Sequence, residues 1–134
     1  MNDDAAPPPE TPGQTVHPKK RILVVEDEAI VGLDLVMYLE ETGFDPDGPH
    51  ISRDAALDAI RQSPPDMAIL DLNLGNDQTS VPVADALDAL DVPYLFLTGY
   101  NRERARAEHQ RPDVPRLAKP VNFTELLNAI SKIL

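Results

Sequence analysis

The chain has 134 residues, a formal net charge of −11 and no cysteine. The length fits one domain, and the lack of cysteine excludes disulfide frameworks, thiolate metal sites and cysteine nucleophiles. The acidity argues against direct nucleic-acid binding, which needs a basic face, and no apolar run approaches the length of a membrane span. These features favour a cytoplasmic protein.

The first twenty residues contain five of the fourteen prolines and few apolar side chains. Such a composition is typical of a disordered or polyproline-like tail, and its polarity excludes a signal peptide. We therefore expect a disordered tail over residues 1–20 and a folded domain over residues 21–134.

The rest of the chain alternates between strand and helix patterns. The predicted strands are Arg21–Val25, Phe44–Ile51, Met67–Leu70, Val92–Leu97 and Arg116–Ala118. The predicted helices are Ala29–Thr42, Arg53–Gln62, Pro82–Leu90, Asn101–Arg111 and a last one that opens at Asn122 or Phe123. Pro46, Gly48 and Pro49 interrupt the second strand, which places it at a sheet edge. The third strand is apolar throughout, as a strand covered on both faces should be.

Single residues mark the predicted helix boundaries. Gly43 suits the end of the first helix, because glycine accepts the left-handed conformation there. Ser52 and Ser80 are predicted to cap the second and third helices with their hydroxyl groups.

Strict alternation of strands and helices predicts an α/β fold, because right-handed crossovers give a doubly wound parallel sheet. With the weak second strand at an edge, the flavodoxin-like (βα)5 order 2-1-3-4-5 fits. The switch point of that sheet lies between the first and third strands, where ligands of such sheets bind.

Polar groups follow four of the predicted strands, and these strand ends share one crevice. They are Glu26 and Asp27 after the first strand, Asp71 after the third, Thr98 after the fourth and Lys119 after the fifth. Three carboxylates in one crevice repel one another, and a divalent cation relieves that repulsion. Mg²⁺ prefers such hard oxygen ligands, and the backbone carbonyl of Asn73 lies on the adjoining loop. The set predicts a phosphoryl-transfer site.

Asp71 is the candidate nucleophile, because it follows the most apolar strand and a carboxylate that attacks phosphorus forms an acyl phosphate. Lys119 would share the charge of the transferred group, and the Thr98 hydroxyl could donate a hydrogen bond to it. The histidines at positions 17, 50 and 109 do not have the spacing of metal ligands.

These residues resemble the receiver domain of two-component response regulators, over positions 21–134. The resemblance implies that Asp71 accepts a phosphoryl group from a phosphohistidine on a sensor histidine kinase. It also implies that Thr98 is the switch hydroxyl and that Lys119, with a cis bond to Pro120, contacts the phosphoryl group. The implied Mg²⁺ ligands are Glu26, Asp27, Asp71 and the carbonyl of Asn73.

The segment Pro93–Tyr100, with sequence PYLFLTGY, is similar to the "FAT GUY" subfamily of receivers. Residues 72–75 and 81–85 are similar to that group too. The subfamily implies a stand-alone receiver, a kinase of the HWE or HisKA2 type and, for some members, general stress signalling.

Some positions depart from the family pattern. Arg116 stands where most receivers have an aromatic residue three positions before the lysine, so Tyr100 is the candidate switch aromatic. The segment between Thr98 and Lys119 contains five arginines and almost no apolar stripe. We expect it to be loosely packed and to reorder when Asp71 is phosphorylated.

The leading interpretation is a single-domain receiver that is not an enzyme beyond its own phosphorylation and dephosphorylation. Its output would be a protein contact or phosphorelay to a second protein, and the apolar first helix could dock on a kinase. One alternative is a phosphorylation-independent adaptor of the same fold. Another is an aspartyl-phosphate phosphohydrolase, but such enzymes need a second Asp at the position of Asn73.

Overall fold

The computed structural model describes residues 18–99 and 111–134. Most of the expected tail, the expected fourth helix up to residue 110 and the candidate switch aromatic Tyr100 lie outside these ranges. The predictions made for them stay predictions.

Five parallel strands form one sheet. They are β1 (Arg21–Val25), β2 (Asp45–His50), β3 (Met67–Asp71), β4 (Tyr94–Thr98) and β5 (Arg116–Ala118). The spatial order is β2-β1-β3-β4-β5, which confirms the predicted order 2-1-3-4-5. The centre of the sheet is therefore β1, β3 and β4, whose residues are almost all buried.

Four helices are seen in the described ranges, and they cover both faces of the sheet. They are α1 (Ala29–Glu41), α2 (Arg53–Gln62), α3 (Val81–Ala89) and α4 (Phe123–Ile133). Alternate residues of β1 separate the two cores: Leu23 packs with α2 and α3, whereas Ile22 packs with α1 and α4. This two-sided packing confirms the doubly wound fold. None of these helices has the length and apolar character needed to cross a bilayer.

The edge strand β2 forms despite its sequence DPDGPH. Gly48 has a φ of +137°, and a Cβ atom there would lie 2.6 Å from the carbonyl oxygen of Val24. The register between β1 and β2 shifts next to this point. Glycine thus lets an irregular strand approach β1 closely, and an edge position tolerates the prolines because few of its N–H groups need partners.

All four predicted helix boundaries are confirmed, and three of them show the local geometry expected there. Gly43 has a φ of +96° just after α1. The Ser52 hydroxyl accepts a hydrogen bond from the Ala55 amide at the start of α2, and the Asn122 side chain accepts one from the Glu125 amide at the start of α4.

The predicted hydroxyl cap by Ser80 is wrong. Ser80 is the N-cap residue of α3, but its ψ of 8° is not extended, so its hydroxyl does not reach the first-turn amides. The Thr79 hydroxyl accepts a hydrogen bond from the Val81 amide instead, at 3.3 Å. The Ser80 amide donates to the carbonyl of Leu72, which ties α3 to the end of β3.

Candidate functional site

The carboxyl edge of the sheet carries the residues predicted for the site. Glu26 directly follows β1, Asp71 and Thr98 end β3 and β4, and Lys119 directly follows β5. The parallel registers align these strand ends. Glu26, Asp71 and Thr98 are buried, whereas Asp27 is exposed. The structure therefore brings together groups up to 93 positions apart in sequence.

Three carboxylates form an oxygen-rich cluster. One carboxylate oxygen from each of Glu26, Asp27 and Asp71 lies within 4.8 Å of the other two. Glu26 Oε1 is also buried; it accepts no hydrogen bond from the described residues and forms an ion pair with Lys119 Nζ at 3.0 Å. Hard oxygen donors in this arrangement fit Mg²⁺, which requires few protein ligands because it retains several waters.

The Lys119 ammonium binds two of these three carboxylates, those of Asp71 and Glu26. Its Nζ donates to Asp71 Oδ2 at 3.1 Å and to Glu26 Oε2 at 3.3 Å. A third hydrogen bond, of 2.9 Å, goes to Glu28 Oε1. The three hydrogens of the ammonium group are thus all used.

Burial and neighbouring charges shift the pKa values of Asp71 and Lys119. Burial is the main cause that raises the pKa of Asp71 to about 9, and the hydrogen bond and negative charge of Glu26 act in the same direction, against Lys119. Burial alone would lower the pKa of Lys119, but the carboxylates of Glu28, Glu26 and Asp71 raise it above its usual range. Without a cation, Asp71 therefore prefers to hold a proton.

The loop after β3 forms a tight turn beside the carboxylates. The Asn73 amide donates to Asp71 Oδ1 at 3.3 Å, and Asn73 Oδ1 accepts from the Gly75 amide at 3.0 Å. Gly75 has a φ of +79°, and a Cβ atom there would lie 3.2 Å from Asp27 Oδ2. The side chain of Asn73 is occupied by the turn, and Gly75 leaves room for the carboxylate of Asp27.

Thr98 and Lys119 are joined through the backbone. The Lys119 amide donates to the carbonyl of Thr98 at 2.9 Å, and the peptide bond from Lys119 to Pro120 is cis, as the family resemblance implies. The Thr98 hydroxyl is buried and has no hydrogen-bond partner among the described residues. It is therefore free to donate to a group that arrives in the crevice.

Arg116 has a structural role in place of the usual aromatic residue. Its guanidinium donates to the carbonyl of Arg111 at 2.6 Å. This bond stabilises the chain just before β5, so the arginine supports the backbone that positions Lys119.

Glu28 is a site residue that the sequence reasoning missed. It lies directly before α1, its amide donates to Glu26 Oε2 at 3.1 Å, and its carboxylate binds Lys119. The available signal was the run of three acids after β1. The sequence pattern predicts Glu26 and Asp27 as site residues but does not single out Glu28.

The comparisons with known proteins agree with this geometry. No family model matches the chain. The solution structure of SdrG from Sphingomonas melonis Fr1 is 33% identical and has a TM-score of 0.75, covering 86% of this chain and 96% of that one. The receiver (REC) domain of the response regulator PhyR from Erythrobacter litoralis is 25% identical with a TM-score of 0.75, covering 86% and 89%.

A curated relative is the transcriptional regulatory protein PdtaR of Mycobacterium tuberculosis. It is 28% identical in an alignment of 122 positions that covers 83% of this chain and 55% of PdtaR. The chain thus spans about half the length of this relative. Taken with the fold and the acid–lysine site, these likenesses show that the chain belongs to the response regulator receiver domains.

Proposed function

We propose that this receiver domain accepts a phosphoryl group on Asp71 from a phosphohistidine of a sensor histidine kinase. The observation that carries the proposal is the 3.1 Å contact between Asp71 Oδ2 and Lys119 Nζ beside the cluster of three carboxylates. In the transfer, a carboxylate oxygen of Asp71 forms a bond to phosphorus as the phosphorus–nitrogen bond breaks. The histidine nitrogen keeps the electron pair of the broken bond.

The residues around Asp71 suit a loose transition state, in which charge spreads over the equatorial oxygens. Lys119 supplies a fixed positive charge on one side. Bound Mg²⁺, held by Glu26, Asp27, Asp71 and the Asn73 carbonyl, would neutralise negative charge on the other side. The free Thr98 hydroxyl would donate to a phosphoryl oxygen and so report phosphorylation to the adjoining segment.

The first helix supports a kinase as the phosphodonor. Ile30, Leu33 and Met37 lie along α1 with their side chains 77%, 53% and 56% exposed. The helix begins three residues after Glu26, so its first turn lies close in sequence to the acidic site. A protein that presents a phosphohistidine there would cover them, and burial of apolar area would stabilise the complex.

The finer features are part of the same proposal. The PYLFLTGY segment supports a place in the FAT GUY subfamily, with an HWE or HisKA2 kinase as partner. The likeness to PhyR, described in one solved structure as a stress response regulator, supports a role in a stress response. The output would be contact with a downstream protein or transfer of the phosphoryl group to it.

The test is incubation with Mg²⁺ and acetyl phosphate, followed by intact mass measurement. We expect the mass of one phosphoryl group on the wild type and none on Asp71→Asn. A wild type that remains unmodified by both acetyl phosphate and kinase would contradict the proposal. If signalling in cells survived Asp71→Asn, the domain would act as an adaptor.

A further inference from the structure

The Lys119 ammonium is held by two carboxylates besides that of the proposed phosphoacceptor Asp71. Its three hydrogens are committed to Glu26, Glu28 and Asp71. A phosphoryl group on Asp71 requires a donor from the same ammonium. The hydrogen bond to Asp71 can pass to the phosphoryl group only if the ammonium moves with it, and the ion pairs with Glu26 and Glu28 hold the ammonium back.

The three partners differ in how easily they can leave. The side chain of Glu26 is fully buried and that of Asp71 is 5% exposed, whereas that of Glu28 is 61% exposed. Glu26 would be left as an uncompensated buried charge if it lost Lys119. An exposed carboxylate exchanges its ion pair for water at little cost.

The surroundings of Glu28 leave its side chain room to move. Its backbone is fixed, because its amide donates to Glu26 Oε2. Its side chain and that of Lys119 line a cavity of about 490 Å³ between α1 and the start of α4. The carboxylate can therefore swing away from Lys119 while the backbone stays in place.

We propose that Glu28 is a positioning residue that holds the Lys119 ammonium before phosphorylation and releases it to the phosphoryl group on Asp71. The inference rests on the proposed phosphoacceptor function. Glu28 then competes with the phosphoryl group for one hydrogen of Lys119. Loss of its charge should favour the phosphorylated form.

The test measures binding of beryllium trifluoride, a phosphoryl mimic, in saturating Mg²⁺ by the ¹⁹F signal of the bound ion. Glu28→Gln should bind it roughly two- to fivefold more tightly than the wild type. Asp34→Asn is the matched control, because Asp34 lines the same cavity and is exposed but is not a partner of Lys119. We expect the control to match the wild type, and the Mg²⁺ affinities of the two variants to agree.

The possible outcomes separate the role of Glu28 from the phosphoacceptor function of Asp71. Equal or weaker binding by Glu28→Gln, or an equal gain in Asp34→Asn, overturns the role of Glu28 while the proposed function stands. A wild type that binds no beryllium trifluoride contradicts the phosphoacceptor function, and the role of Glu28 fails with it. An unchanged unfolding midpoint of Glu28→Gln excludes misfolding as the cause.

Discussion

At the scale of single residues, the burial that surrounds the reactive carboxyl group of Asp71 also lowers the stability of the fold when that group is ionised. Its pKa is raised from 3.8 to about 9, mainly by burial and then by Glu26. Between these two values the folded domain binds more protons than the unfolded chain. The stability contributed by protonated Asp71 is thus fully present below pH 4 and is lost as the pH rises towards 9.

We therefore predict that Asp71→Asn is more stable than the wild type at pH 8 in a metal chelator by several kcal/mol, because the difference grows by about 1.4 kcal/mol for each pH unit above 4. The two proteins should converge as the pH falls towards 4. Urea unfolding of both proteins at several pH values measures the difference. A difference that stayed constant with pH would show that Asp71 is ionised in the folded, metal-free domain.

Gly75 leaves space for the carboxylate of Asp27, which a larger side chain would occupy. We predict that Gly75→Ala lowers Mg²⁺ affinity several-fold, because its Cβ would lie 3.2 Å from Asp27 Oδ2 and displace the carboxylate. Titration calorimetry with MgCl₂ measures the change. The added backbone strain at a φ of +79° would also reduce stability, by about 1 kcal/mol.

Gly43→Ala provides the control for that strain. Gly43 has a φ of +96°, and a Cβ atom there would meet nothing within 4 Å. This variant should lose similar stability and keep the Mg²⁺ affinity of the wild type. Equal losses of affinity in both variants would argue against a local effect of Gly75 on Asp27.

The site residues were predictable to different degrees. Asp71, Thr98 and Lys119 could be found because each follows a strand, and parallel strands end at one edge. Glu28 could not be assigned, because its role depends on where the Lys119 side chain ends. Gly75 could not be linked to Asp27 either, since the contact depends on the path of the loop after β3.

At the scale of elements, a polar cluster fastens the chain before β5 to α3. The Tyr94 hydroxyl, at the start of β4, donates to Asp88 Oδ1 and accepts from Arg111 Nε, both at 2.9 Å. Arg111 also bonds Asp85. Burial is the main cause that raises the pKa of Tyr94, so the phenol stays protonated and remains a donor. The cluster lies at the end of the sheet opposite the site.

We predict that Tyr94→Phe lowers the free energy of unfolding by about 1–2 kcal/mol, because Arg111 and Asp88 both lose the hydroxyl of a buried side chain as hydrogen-bond partner. Urea unfolding measures this loss. Tyr38→Phe is the control, since the Tyr38 ring stacks on Phe123 but its hydroxyl forms no hydrogen bond among the described residues. A loss of the same size in both variants would mean that the cluster contributes nothing specific.

The elements themselves were predicted better than their ends. The apolar strands β1, β3 and β4 were clear because burial on both faces demands continuous apolar runs. The cap of α3 was wrong, because serine and threonine stand side by side and only the backbone angles decide which hydroxyl reaches the helix. The partners of Arg111 on α3 could not be found from the sequence, because they lie 26 and 23 positions away along the chain.

At the scale of the whole molecule, a chain with a net charge of −11 concentrates three carboxylates at one point of its sheet. Burial and the charge of Glu26 make ionisation of Asp71 unfavourable in the folded domain, and Lys119 offsets only part of that cost. A divalent cation that binds only the folded arrangement therefore stabilises the domain by mass action. The gain is about 2.7 kcal/mol when the free cation is at 100 times its dissociation constant.

We predict that MgCl₂ raises the unfolding midpoint in a saturable manner, whereas NaCl at equal ionic strength raises it less and without saturation. The reason is that sodium ions only screen the charge, whereas Glu26, Asp27 and Asp71 would hold a bound Mg²⁺. Calorimetric melts over a range of both salts measure the difference. Asp27→Asn should abolish the saturable part, while Glu40→Gln, which removes an exposed charge near the far end of α1, should preserve it. Identical curves for the two salts would show that the cluster acts only through general charge repulsion.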